Sequence, residues 1–170
     1  PPRQIDPNEL NDKWNHGEDP KLYPLDVGRL RRVATTAAKA AGWGKPLAKG
    51  RGRGIAAHYS FVTYVAAVVE VAIDAKGQLS IPRVDMAVDC GAVVNPDRVR
   101  SQMEGACIMG LSNALHGEIS FKDGRVVQGN FNDFELMRMH AAPKAIHVHI
   151  IGGDYDKPLG GVGEPGVPPI

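Results

Sequence analysis

The sequence predicts an α+β fold in which β-hairpins pack with two principal helices. Three observations carry that expectation. Apolar residues recur at helical spacing after Asp26 and again after Asn95, and β-branched runs flank the turn signal Asp74-Ala75-Lys76-Gly77-Gln78. In addition, 20 glycines and 13 prolines punctuate 170 residues, which implies many turns and close backbone approaches in a single domain.

Taken in order, residues 1–24 are polar and broken by prolines without an apolar period, which reads as an extended arm or linker. Residues 25–158 read as the α+β portion, and 159–170 as a Gly/Pro-rich loop. In the first helix Asp26 is the N-cap, Val27, Leu30, Val33, Ala34, Ala37, Ala38 and Ala41 form one apolar stripe, and Gly42 is the stop. Arg29, Arg31, Arg32 and Lys39 fall largely outside that stripe. Lys49–Gly54, KGRGRG, is expected to be a flexible basic loop. Phe61–Ile73 and Leu79–Asp89 are expected to pair as a hairpin, with Pro82 at an edge or a bulge because it has no N–H for a ladder. Asn95 and Pro96 open the second helix, whose apolar row is Val99, Met103, Ala106 and Gly110, and Gly117 closes it. Gly105 and Gly110 each cost ~1 kcal/mol of helix propensity relative to Ala, so close approach of a backbone or ligand is expected there. Asp123-Gly124 predicts a hairpin between Glu118–Phe121 and Arg125–Gln128, and Ala145–Ile151 reads as a last strand.

Composition narrows the function classes. Lys plus Arg number 20 and Asp plus Glu 19, a net charge of +1, so no global field draws in nucleic acid or an anionic membrane. No apolar run approaches the ~18 residues of a membrane span. Cys90 and Cys107 form neither a CxxC pair nor a disulfide framework. The opening residues lack an initiator Met and a signal-peptide profile, and the chain stops abruptly at GGVGEPGVPPI, so it reads as part of a longer polypeptide truncated within the last loop.

That last segment is the most informative. Gly161, Gly163 and Gly166 formally satisfy GxGxxG, but Val167-Pro168-Pro169 forbids the helix that a dinucleotide fingerprint must open. What remains is one carboxylate, Glu164, among glycines that let a ligand approach the backbone and beside Pro165, which stiffens the loop. A glutamate partly withdrawn from water there suits general-base work. A turn bearing one solvated glutamate is the plainer reading of the spacing alone. Gln102 is a second candidate, a donor and acceptor near the helix end that favours anions, against the plainer reading of an exposed helical Gln. His147 and His149 share one side of a strand, with His140 upstream, but no Cys or acidic partner stands at ligand spacing, so no metal site is assigned to protein ligands.

In order, the segments GRGIAAHYSF, VAAVVEVAID, VDCGAVVNPDRVRSQMEGACIMGLSNAL and GGVGEPGVPP resemble the C-terminal part of the molybdenum cofactor-binding large subunit of the xanthine dehydrogenase and aldehyde oxidase family, most of all the branch of the isoquinoline 1-oxidoreductase beta chain. The resemblance runs from about Leu22 to the last residue. It implies that the chain is part of the molybdopterin-binding region of a larger subunit. Glu164 would be the active-site base beside molybdenum, Gln102 a residue hydrogen-bonded to the cofactor, and Gly161, Val162 and Gly163 the floor next to the metal. It further implies molybdopterin, as its cytosine dinucleotide, and a partner subunit carrying two [2Fe-2S] clusters. The implied reaction is oxidative hydroxylation of an N-heteroaromatic compound or an aldehyde with water-derived oxygen. The resemblance leaves the compartment open, because branches of the family occur in cytoplasm and periplasm. Most of such a subunit lies outside these residues, so the chain alone is expected to be inactive, folded mainly around its two hairpins and the Asn95–Gly117 helix, with a mobile glycine loop. The competing reading is a non-catalytic protein-interaction module that uses the 1–24 arm and the Ala-rich helix.

Overall fold

The computed structural model describes residues 19–153 and 155–170, so most of the expected 1–24 arm lies outside the described residues. Leu22 and Tyr23 donate their N–H groups to the Asp19 carbonyl in a turn that leads to the first helix. Asp26 caps that helix as expected, its carboxylate accepting from Gly28 N at 2.8 Å and Arg29 N at 3.1 Å. Helix α1 runs Val27–Ala41 and ends where Gly42, at φ +67°, donates to the Ala38 and Lys39 carbonyls.

The chain then forms β1 (Arg51–Ser60), β2 (Thr63–Ile73), β3 (Leu79–Asp89), α2 (Pro96–Leu115), β4 (Phe121–Lys122), β5 (Arg125–Val126), a 3-10 turn at Met139–Ala141, and β6 (Ile146–Ile150). One sheet has the order β1-β2-β3-β6, antiparallel except that β6 runs parallel to β3. Pro82 sits where expected, at a bulge. The β2–β3 register shifts between Glu70 and Ala72, which leaves Ile81 and Pro82 together opposite Val71.

Two expectations for the first half are corrected. KGRGRG is not a flexible loop, because Arg51–Gly54 begin β1 and pair with β2 from Arg51 opposite Ala72 onward. Alternating Arg and Gly puts both guanidinium groups on one face of the strand, where Arg51 and Arg53 each reach the buried Glu70 of β2 at 2.7 Å. The long run from Phe61 is likewise divided: Phe61 (φ +50°) and Val62 (φ +62°) form the two-residue turn that joins β1 to β2. Such turns favour Asn-Gly, and a β-branched residue at positive φ costs on the order of 1–3 kcal/mol.

The sheet is covered on both faces, which is why β2 reads as an almost continuous apolar run. Val65 and Ala67 of β2, with Val84, Met86 and Val88 of β3, meet Val99, Met103, Cys107 and Leu111 of α2. On the other face Tyr64, Ala66, Val68 and Ala87 meet Val33, Ala37 and Ala41 of α1. Arg29, although outside the apolar stripe, reaches into this interface. Its guanidinium lies 4.5 Å from the Tyr64 ring centre and donates to Asp89 Oδ1 at 2.6 Å. The β4–β5 hairpin turns at Asp123-Gly124 as expected, both residues at positive φ, but its strand residues are exposed. The fold is therefore built on β1–β2–β3 with both helices, not on two hairpins and one helix.

Candidate functional site

Helix α2 positions Gln102. Asn95 Oδ1 accepts from Arg98 N at 3.1 Å, Pro96 opens the helix, and Met103 and Ala106 are buried against the sheet, so the neighbouring Gln102 faces outward. Of the two helical glycines expected to sit at close approaches, Gly110 does: a Cβ there would lie 2.7 Å from Ile170 Cβ. Gly105 does not, since a Cβ would meet nothing within 4 Å.

The C-terminal loop is laid against the hairpin turn and against α2. Gly160 N donates to the Cys90 carbonyl at 2.9 Å and Gly161 N to the Phe61 carbonyl at 2.8 Å. Pro165 is fully buried, and a Cβ on Gly166 would press on Ala106 Cβ at 2.8 Å and Met103 Sδ at 3.1 Å. Val162 is half-buried against the α2-side core, and Val167 N closes a turn on the Glu164 carbonyl at 3.0 Å. The mobile loop expected from the sequence is thus tied down at both ends. Close packing, rather than ligand access alone, accounts for Gly160 and Gly166.

This anchoring brings the candidates together. A Cβ on Gly163 would sit 3.8 Å from Gln102 Nε2, so the side chain of Gln102 flanks the turn that carries Glu164. Gln102 and Glu164 are both exposed. Among the described residues neither side chain is held by a hydrogen bond or ion pair. The withdrawal from water expected for Glu164 is therefore not provided by these residues. Phe61, Thr63 and Cys90, which support the loop, were not legible as site residues; the only signal was the Gly160-Gly161 doublet, which marks a close backbone approach.

Elsewhere, His149 Nε2 lies 3.1 Å from Asp85 Oδ1, an acidic neighbour across the β3–β6 pair that linear spacing could not reveal. Burial pushes the Asp85 carboxyl up, but hydrogen bonds from Arg83 and His149 outweigh it and hold it below the usual carboxylate range. His58 contacts Ser60 Oγ at 3.0 Å and His116 lies 3.5 Å from Glu135. Among the described residues no group of three His, Cys, Asp or Glu side chains could hold a metal ion. A cleft of about 310 Å³ lined by Leu79, Ile81, Leu115, His116, Met137 and Lys144 lies at the far end of α2 and includes neither Gln102 nor Glu164. The candidate site is a surface made by two chain segments rather than an enclosed pocket.

The fold and the site together define an α+β unit that presents an outward glutamine and a packed glycine loop on one face. The molybdopterin cofactor-binding domain model matches residues 27–143, and the chain belongs to that domain family of the xanthine dehydrogenase and aldehyde oxidase proteins. It is 36% identical over 140 residues to the beta chain of isoquinoline 1-oxidoreductase from Brevundimonas diminuta, covering 79% of this chain and 17% of that one. It is 31% identical over 119 residues to a nicotinate dehydrogenase subunit of Pseudomonas putida, covering 65% and 10%. The fold is similar to that of a Cu,Mo-containing carbon monoxide dehydrogenase in its carbon monoxide reduced state, with TM-score 0.53 and 26% identity over 62% of this chain and 14% of that one. The chain spans less than a fifth of the length of these relatives. Gln102 lies inside the segment matched by the family model, and Glu164 lies beyond it.

Proposed function

We propose that this chain forms the molybdenum-facing part of a molybdenum hydroxylase large subunit, with Glu164 as general base and Gln102, Gly161, Val162 and Gly163 beside the cofactor. The observation that carries the reading is the juxtaposition of Gln102 with the Gly163-Glu164 turn, two segments distant in sequence. The residues fit such a group. Gly161 and Gly163 are exposed, Gly163 has no side chain between the loop and Gln102, and the Gln102 amide has donor and acceptor capacity free among the described residues. When bound, molybdopterin would supply the redox chemistry and the activation of water-derived oxygen.

The chain's own contribution is positional and acid–base. The Glu164 carboxylate accepts the proton released as oxygen is delivered to an electron-poor carbon of an N-heteroaromatic compound or an aldehyde. Glu164 is exposed, and the reading assigns the surface that would withdraw it from water to the remainder of a large subunit, the chain covering 17% of the length of its isoquinoline 1-oxidoreductase relative. The Gln102 amide would hydrogen-bond the cofactor, and Gly161, Val162 and Gly163 would lie beside it. Molybdopterin cytosine dinucleotide is the cofactor form we propose, and a small subunit with two [2Fe-2S] clusters the electron-accepting partner.

The test uses the intact large subunit with its partner. Glu164→Gln is expected to lower turnover by about 10²- to 10⁴-fold while molybdenum stays bound. Turnover at the parent rate contradicts the base assignment. A chain that neither takes part in molybdenum binding nor recovers an iron–sulfur protein on pull-down is instead a non-catalytic interaction module.

A further inference from the structure

The Phe61–Val62 turn combines three features. Both residues have positive φ, at +50° and +62°, although neither is a glycine and Val62 is β-branched and buried. The turn lies directly under the glycine loop: the Phe61 carbonyl accepts from Gly161 N at 2.8 Å, and a Cβ on Gly161 would stand 3.2 Å from Phe61 Cβ. Next to it Gly160 closes over Thr63, so that a Cβ on Gly160 would overlap Thr63 Oγ1 and lie 2.9 Å from the Val62 carbonyl. Thr63 is fully buried and its hydroxyl has no hydrogen-bond partner among the described residues. A strained turn and an orphaned hydroxyl in adjacent residues persist only where surrounding structure over-determines them, and such strain gathers at functional sites.

We infer that the Phe61–Val62 turn is a positioning device for the catalytic loop, with Phe61 as a positioning residue that sets how far the Gly160–Glu164 segment stands above the sheet and hence how Glu164 faces Gln102. This rests on the reading of Glu164 as the base. The contact leaves no room for a side chain, because the Phe61 carbonyl holds Gly161 N and a Cβ on Gly161 would crowd Phe61 Cβ, and the loop's other end is pinned by buried Pro165 and by Gly166, where a Cβ would press on Ala106. A shift of a few tenths of an ångström at Gly161 is therefore passed along the loop toward Glu164 instead of being absorbed.

A compensation experiment tests it in the intact protein. Gly161→Ala adds a methyl against Phe61 Cβ, and Phe61→Gly removes that Cβ at a φ that glycine adopts freely. Gly161→Ala is expected to speed amide exchange of the 160–164 segment about tenfold. It should also lower kcat about tenfold at unchanged KM. The double variant Phe61→Gly/Gly161→Ala is expected to recover most of both losses. Additive effects in the double variant, with loop exchange no slower than in Gly161→Ala, overturn the inference. Should Gly161→Ala not accumulate as folded protein, Phe61→Gly alone decides: faster exchange confined to 160–164 supports the positioning role, and unchanged exchange contradicts it. The exchange readout is independent of turnover. An inactive Phe61 role and a wrong base assignment are thereby told apart, since Glu164→Gln with full activity would sink the base while leaving the exchange coupling intact.

Discussion

Gly105 and Gly110 look alike in the sequence, each a poor helix residue in the middle of α2, and they are structurally opposite. A Cβ on Gly105 faces open space, so Gly105→Ala is expected to raise stability by about 0.5–1 kcal/mol, read as a higher urea midpoint. At Gly110 the Cβ would meet Ile170 Cβ at 2.7 Å and the Val167 carbonyl at 3.0 Å. Gly110→Ala should therefore cost about 1–3 kcal/mol and loosen the C-terminal loop. Equal effects of the two substitutions would contradict the packing described. The same distinction separates what was legible at the site from what was not. Glu164 and Gln102 stood out by chemistry and by resemblance. The Phe61 and Cys90 carbonyls that hold the glycine loop are backbone atoms, and their role depends on where the chain passes.

At the scale of elements, caps and turns with specific chemistry were readable: Asp26 and Gly42 at the ends of α1, Asn95 and Pro96 at the start of α2, and Asp123-Gly124 in the short hairpin. The Arg-Gly start of strand β1 was not, because the partner of both its arginines, Glu70 of β2, lies outside any local window. That buried carboxylate has a measurable consequence. Burial pushes Glu70 up, but hydrogen bonds from Arg53 and Arg51 outweigh it and hold it below the usual carboxylate range, as Arg83 and His149 do for Asp85. Both groups thus have folded-state pKa values below their unfolded ones. Their stabilisation is fully present above the ordinary carboxylate range of about 4 and is lost as pH falls through the lower folded values. Denaturant midpoints should therefore fall steeply on acidification below about pH 4. Glu70→Gln should flatten that fall at the cost of a lower midpoint at neutral pH, where Arg51 and Arg53 lose their shared partner. An unchanged acid slope in Glu70→Gln would remove this residue from the account.

For the whole molecule, the three-layer arrangement of α1, sheet and α2 buries both cysteines as free thiols. Burial pushes the Cys107 thiol up to about 12, and Cys90 is raised by burial as well. A thiol reagent such as a disulfide dye should label neither residue at neutral pH until the chain unfolds, and rapid labelling of Cys107 in the native state would contradict the packing of α2 on the sheet. The architecture was legible as α+β because the apolar periods and turn residues agree with it. That α1 and α2 take opposite faces was not legible, because β2 and β3 carry apolar residues on both sides. We propose that one face of this unit, made by Gln102 and the Gly161–Glu164 loop, meets the molybdenum cofactor. It is tested most directly by anomalous scattering at the molybdenum absorption edge from crystals of the intact, cofactor-loaded protein. A molybdenum peak is expected over that face, with Glu164 and Gln102 as side chains beside the metal and its cofactor. A peak remote from both residues, with the loop turned toward other protein, would contradict it.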